Sequence, residues 1–263
     1  ISLGLVGSEM CIRDRYNLGQ SGNTPSQNLV DAYEMIDGTP FDWNNPEHKS
    51  NPYANRDPRL AMSILTNNVE FKDRTIEAWT GGRDGKGVIH ATRTGYYIYK
   101  FIDPNLDLLQ NRTSVHHWVI MRYAEILLSY AEAMNEAYGP TGNVGYRLNA
   151  VRALNQVRNR VGVEMPAVPT AISKEELREK IRNERRVELA FEDHRFWDVR
   201  RWMIAPETLG APLRGVEITK ISDEEFEYNP IEVEKRTFEP KMYLYSIPQA
   251  DLNTTGWVQN PLW

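Results

Sequence analysis

From about residue 116 onward, apolar positions recur at i, i+3 and i+4; before it they come in short runs separated by polar and turn-forming residues. Ala124, Leu127, Leu128, Ala131, Met134 and Tyr138 predict a first amphipathic helix, stopped by Gly139-Pro140. Leu148, Val151, Leu154, Val157 and Val161 predict a second over about 146–161, with Gly162 behind it. Ser173-x-x-Glu176 has the form of a capping box and opens a third helix that runs to about 192. A short fourth covers roughly 194–203, and YLYSIP (243–248) reads as a short strand ended by Pro248. The first two helices are joined by few residues and should be antiparallel neighbours, with small side chains at 124, 131 and 133 permitting close approach. Two such hairpins in succession predict a tetratricopeptide-like layer, although the strict repeat signature does not recur.

The front of the chain has a different character. Residues 16–60 are dominated by Asn, Pro, Gly and Asp, and 61–115 hold short apolar runs (Ala61 to Leu65, Tyr96 to Ile102) divided by the glycine-rich stretch 81–87. That pattern predicts a few strands and long loops. The expected fold is mainly α: helical hairpins with long irregular loops and a few short strands. Residues 1–15, ISLGLVGSEMCIRDR, fail as a signal peptide because Gly, Ser and Glu interrupt the apolar run. They resemble translated adapter sequence and are set aside as non-native. Three segments result: 1–15, a loop-rich 16–115 that is the candidate ligand face, and a helical 116–263.

Composition removes several classes of function. With 41% hydrophobic and 25% charged residues, the 263-residue chain has the makings of a globular core. A formal charge of −5 speaks against a nucleic-acid binder. No run reaches the roughly 18 apolar residues a membrane-spanning helix requires. The only cysteine, Cys11, leaves no disulfide framework and no cysteine-ligated zinc site.

Leu177, Ile181, Glu184, Glu188 and Phe191 share one narrow helical face, which places two carboxylates inside an apolar stripe. Burial could make them an acid/base pair for glycosidic hydrolysis, or they could ligate a metal. The structural alternative pairs each with an arginine, and Arg122, Arg152, Arg158, Arg185 and Arg195 are candidates. Adjacent His116 and His117 project about 100° apart on a helix and read as surface or capping residues. GGRDGKG (81–87) lacks phosphate-loop spacing and reads as a flexible loop, and no serine occupies a GxSxG setting. No cofactor is implied.

Seven Trp and thirteen Tyr are many for this length. Trp43, Tyr53, Trp79 and Tyr96 fall among loops or short strands, with polar neighbours that include Arg83 and Asp84 near Trp79. A sugar ring offers an apolar C–H face and a rim of hydroxyls. An aromatic plane matches the face, and Asn, Asp and Arg match the rim. These six residues form the candidate ligand-binding set, Trp79 first. Satellite core under long loops is the alternative for any single ring.

Several stretches resemble the SusD/RagB family of cell-surface nutrient-binding lipoproteins of Bacteroidota. They are DPRL (57–60), YYIYKF (96–101), RYAEILLSYAEAMNE (122–136), LNAVRALNQVRNRVGV (148–163), IRNERRVELAFEDHRFWDVRRW (181–202), YLYSIPQADLN (243–253) and the closing QNPLW. Order and spacing are similar to the C-terminal part of that family over roughly 29–263. Ser246 stands where the family often has proline, and Asn253-Thr254-Thr255-Gly256 replaces its usual asparagine-proline turn. The resemblance implies a glycan-capture protein without catalysis. It would be held at the outer membrane by a lipid anchor on an N-terminal part that this chain lacks, and would cap a SusC-type TonB-dependent transporter. It also makes Glu184, Arg185, Glu188 and Trp197 part of the helical scaffold. Two other readings remain: a protein–protein adaptor of such a complex that binds no sugar, and a glycoside hydrolase using Glu184 and Glu188.

Overall fold

A computed structural model describes residues 23–106, 110, 113–115 and 119–263. The adapter-like segment with Cys11, and the pair His116-His117, lie outside the described residues. The fold is mainly helical. Three helices carry its second half: α4 (Tyr123–Tyr138), α5 (Ala150–Arg158) and α6 (Lys174–Glu188), followed by α7 (His194–Arg201). The expected stripes are buried: Leu127, Leu128, Ala131 and Met134 from α4 meet Val151, Leu154 and Val157 from α5 and Leu177 and Ile181 from α6. Ser173 caps α6 as expected, its hydroxyl accepting from Glu176 N at 3.1 Å while Glu176 Oε2 accepts from Ser173 N at 3.0 Å. Ser173→Ala should cost about 1 kcal/mol and lower the melting temperature by roughly 2–4 °C in a thermal scan.

Three stripe positions depart from expectation, the first being Tyr138 at the end of α4, which is 44% exposed. Helix α5 ends at Arg158, and the chain turns through Gly162 at φ +84°, which leaves Val161 93% exposed and puts Val163 and Met165 into the interior instead. Helix α6 ends at Glu188, so Phe191 lies beyond it, at φ +64° in the left-handed region.

Ahead of these lie α1 (Gln27–Val30), α2 (Pro46–Ser50) and α3 (Arg59–Ser63), with four two-residue strands: β1 (Ile64–Leu65), β2 (Glu70–Phe71), β3 (Arg74–Thr75) and β4 (Tyr97–Ile98). The two apolar runs expected as strands pair with each other, Ile64 opposite Ile98 and Leu65 opposite Tyr97. After α7 come α8 (Ala205–Thr208) and an antiparallel hairpin of β5 (Leu213–Lys220) and β6 (Phe226–Glu234), the longest strands of the fold. Sequence periodicity did not reveal this hairpin. Its β5 edge is tied to the loop-rich half through Val216 N to Thr94 O and Thr80 N to Ile218 O, both 2.9 Å. The approach needs glycine: a Cβ on Gly95, at φ +87°, would meet Val216 O at 2.8 Å.

The segment 243–248 is not a strand. A 3-10 turn covers Pro240–Tyr243 and the rest is irregular. Its backbone groups are met by side chains in place of a neighbouring strand: Gln259 Oε1 accepts from Ile247 N at 2.8 Å and Gln259 Nε2 donates to Ile247 O at 2.9 Å. The Asn253–Gly256 stretch closes α9 (Gln249–Thr255), with Gly256 as its left-handed cap.

The core has two parts. One, around α4 to α6, is aliphatic; the other, under the loops and the hairpin, holds Tyr33, Tyr96, Tyr97 and Tyr228 among aliphatic side chains. Helix α6 contributes to both, Leu177 and Ile181 to the first and Val187 to the second, so its remaining buried face carries the charges described next.

Candidate ligand-binding cleft

Glu184 and Glu188 are held by arginines from distant parts of the chain. Arg59 Nη1 donates to Glu184 Oε1 at 2.5 Å and to Glu188 Oε2 at 2.9 Å, while its Nη2 reaches Asp57 Oδ2 at 2.6 Å. Arg158 bonds Glu184 at 2.7 Å and Glu34 at 2.9 Å. Arg122 and Arg160 each bond Glu188 at 2.6 Å. Arg122 continues to Glu192, which also takes Lys100 at 2.5 Å. The DPRL motif is therefore a clamp that joins the loop-rich half to α6. Of the expected partners, Arg122 and Arg158 serve; Arg185 instead forks onto Asp198 at 2.9 and 3.1 Å. Arg59 and Arg160 were missed.

Burial alone would raise the Glu188 carboxyl, but hydrogen bonds from Arg160 and Arg122 and the charges of Arg160 and Arg59 outweigh it and hold the group at about 2. A carboxyl so placed stays ionised at neutral pH and is a poor proton donor. Its oxygens are occupied, which also removes it as a metal ligand. Among the described residues no group of three or more His, Cys, Asp or Glu is arranged to hold a metal ion.

The six expected ligand residues have different placements. Trp79, Arg83 and Asp84 belong to one compact loop. Asp84 is 1% exposed and forks onto Arg74 at 2.7 and 2.8 Å while accepting from Glu77 N at 2.9 Å. Its carbonyl accepts from Tyr97 OH at 2.6 Å. The glycine-rich stretch expected to be flexible is thus pinned from within, and a Cβ on Gly85 would strike Trp79 O at 1.9 Å. Arg83 is exposed and pairs with Glu77 at 3.0 Å. Trp79 is half-buried, with Phe226 against it at 5.4 Å and 33° and the Lys220 ammonium 5.0 Å over its ring. Trp43 is also half-buried, edge-on to Phe41, and its indole N–H donates to Asp31 at 3.0 Å.

Tyr53 and Tyr96 are brought together. Tyr96 is 0% exposed; its hydroxyl donates to Gln27 Oε1 and accepts from Tyr53 OH at 3.4 Å. Neither Tyr96 nor Asp84 is accessible to a ligand: the carboxylate found a buried arginine and the ring joined the core, so both position the loops around them. Tyr53 stays half-buried, edge-on to Tyr96 at 6.1 Å and to Tyr228 at 5.3 Å.

Tyr53 lines a cleft of about 950 Å³ between residues 46–54, the turn at 66–69 and the hairpin tip at 221–228. Phe226 and Tyr228 complete its aromatic wall, and Trp79 lies behind Phe226. Asn51, Asn67 and Asn68 supply amides. Asn67 is fixed by Ala78 N, which donates to its Oδ1 at 3.0 Å. Burial raises the Tyr228 hydroxyl pKa, and a hydrogen bond with Asn67 partly offsets the rise. A second groove of about 930 Å³, between residues 31–40, 166–172 and α6, has no aromatic side chain in its lining. Three of its carboxylates are spent locally, Glu34 on Arg158 and Lys180, Asp37 on Thr39, Glu176 on the α6 cap. An aromatic plane beside amides suits a sugar; the second groove offers no such plane. Phe226 and Tyr228 were missed in the sequence, although their two-residue spacing beside acidic neighbours is the mark of a strand face.

Comparison with known proteins defines the class. The family model for SusD_RagB, the SusD family, matches residues 7–263. The chain belongs to the SusD family. It is 34% identical over 229 residues to SusD-like protein P38 of Formosa agariphila, covering 81% of this chain and 43% of that protein. A solved SusD-like protein from Bacteroides fragilis aligns with a TM-score of 0.74 at 30% identity, over 97% of this chain and 51% of that one. A SusD-like carbohydrate binding protein from the same organism aligns at 0.73 and 29% identity, over 93% and 50%. The chain spans about half the length of the relatives it matches.

Proposed function

We propose that this chain captures oligosaccharide at the cell surface, in the cleft between residues 46–54, 66–69 and 221–228, without chemical change to the ligand. The observation that carries this reading is the combination of an aromatic wall (Tyr53, Phe226, Tyr228) with a rim of amides in one open cleft. The half-buried rings of Tyr53 and Phe226, backed by the buried Tyr228, stack on C–H faces and the amides bond hydroxyls. Trp79 and Arg83 extend the surface behind Phe226, and Trp43 belongs to the wider ligand half, residues 16–115. Family membership supports the glycan class, as does the carbohydrate-binding relative. The hydrolase alternative loses its chemistry because Glu184 and Glu188 are locked on arginines.

In this reading the captured glycan passes to a SusC-type TonB-dependent transporter in the outer membrane of a Bacteroidota cell. A lipid anchor on a preceding part of the protein would hold it there. Exposed Ile120 and Met121 just ahead of α4, with Tyr123 and Ile126 in its first turn, support a tetratricopeptide-like face that packs on further helices. Incubation of the protein with polysaccharides tests the first claim: the expected result is binding with no new reducing ends. Sugar release by the wild type, lost in Glu188→Gln, would contradict it.

A further inference from the structure

The hairpin tip gives the cleft a sign of charge. Glu224, Glu225 and Glu227 line it and are exposed, and none of the three forms an ion pair with a described residue. Lys49 is the only cation in the lining among the described residues. The other nearby ammonium, on Lys220, is spent on Asp223 at 2.7 Å and on the Trp79 ring. The remaining polar wall is neutral, made of Ser50, Asn51, Thr66, Asn67 and Asn68.

A sulfate ester or a uronate carboxylate is recognised through arginine, lysine or clustered backbone N–H groups. Here such a group would meet three carboxylates against one ammonium in the lining of a single cleft. The walls of a cleft focus that field rather than dispersing it.

We propose that the cleft selects uncharged glycans and rejects sulfated or uronate-rich ones, with Glu224, Glu225 and Glu227 as the specificity determinants. This rests on the cleft being the glycan site, and the test separates the two. The whole 263-residue chain is run by native affinity electrophoresis in gels containing laminarin, galactomannan or xyloglucan, and in parallel gels containing alginate or chondroitin sulfate. Retardation is expected in at least one uncharged polysaccharide and in neither anionic one. The triple variant Glu224→Gln, Glu225→Gln, Glu227→Gln, checked for folding by circular dichroism, should keep its uncharged ligand within about threefold and gain retardation in an anionic gel. Retardation of the wild type by an anionic polysaccharide, weakening with added salt, would overturn the charge selection and leave glycan binding standing. A triple variant that still rejects both anionic gels would overturn the role given to these glutamates. No retardation by any polysaccharide would overturn the glycan reading, and this inference with it.

Discussion

Arg59→Met should lower the melting temperature by on the order of 10 °C. The substitution removes the guanidinium from between Asp57, Glu184 and Glu188, all buried; Asp57 loses its ion-pair partner, Glu184 is left to Arg158 and Glu188 to Arg122 and Arg160, and two of the bridges between halves are gone. Breaking a buried ion pair from one side costs roughly 3–5 kcal/mol, and in a chain of this size each kcal/mol moves the midpoint by about 2–4 °C. The expected loss is the cost of stranding charges; replacing the whole cluster with fitted apolar residues would cost less. The same network gives stability a pH dependence. Glu188 is held at about 2, below the ordinary glutamate value of 4.5, so its contribution is complete above 4.5 and is lost as pH falls from there toward 2. A shift of that size corresponds to roughly 3 kcal/mol. Thermal scans of wild type and Arg59→Met between pH 7 and pH 2 check both points. An unchanged midpoint in Arg59→Met at pH 7, or a wild type equally stable at pH 7 and pH 2, would mean that the network carries no such load.

Phe226→Ala should weaken glycan binding roughly tenfold while leaving the fold intact. The Phe226 ring is half-buried at the hairpin tip, one side toward the cleft and one toward Trp79, so its loss removes part of the wall without opening the core. Burying a ring of this size is worth about 1.5–3 kcal/mol when complete, and a partly covered ring returns about half of that, or close to a factor of ten. Phe226→Tyr keeps the plane and should bind within about threefold of wild type. Trp79→Ala is the informative contrast: with Phe226 and Lys220 on its ring, it should lose stability as well as affinity. Calorimetric titration with the recognised oligosaccharide, alongside a thermal scan of each variant, separates the two effects. Full affinity in a folded Phe226→Ala protein would place the site elsewhere.

The helices α4 to α6 were legible because each element carries its own signals: a period of 3.6, a capping box at Ser173, a glycine or proline stop. What failed were features that depend on remote partners. Glu184 and Glu188 announced buried charge, and pairing with arginine was a fair expectation. That Arg59 would supply it, 125 residues from Glu184, could not be read from helical spacing. The β5–β6 hairpin hid for local reasons. Its loop, Ile221–Glu225, has no Asn-Gly or Asp-Gly turn, Pro230 sits within the second strand, and the inward positions change parity between Tyr228 and Ile231. YLYSIP failed in the opposite sense: strand-forming residues had no neighbouring strand, and Gln259 met the backbone instead. The candidate aromatics fall in different places. Tyr53 reached the cleft, but Tyr96 went to the core, because one stretch of sequence cannot show which side of a short strand will be covered.

One side-by-side measurement decides whether the Tyr53–Phe226–Tyr228 cleft holds a glycan and leaves it intact. Wild type and Phe226→Ala are run through native gels containing a panel of uncharged polysaccharides, with reducing ends assayed in the same samples. At least one polysaccharide should retard the wild type, Phe226→Ala should be retarded much less, and neither protein should release sugar. Equal retardation of the two proteins, or sugar release by the wild type, would contradict this role of the cleft.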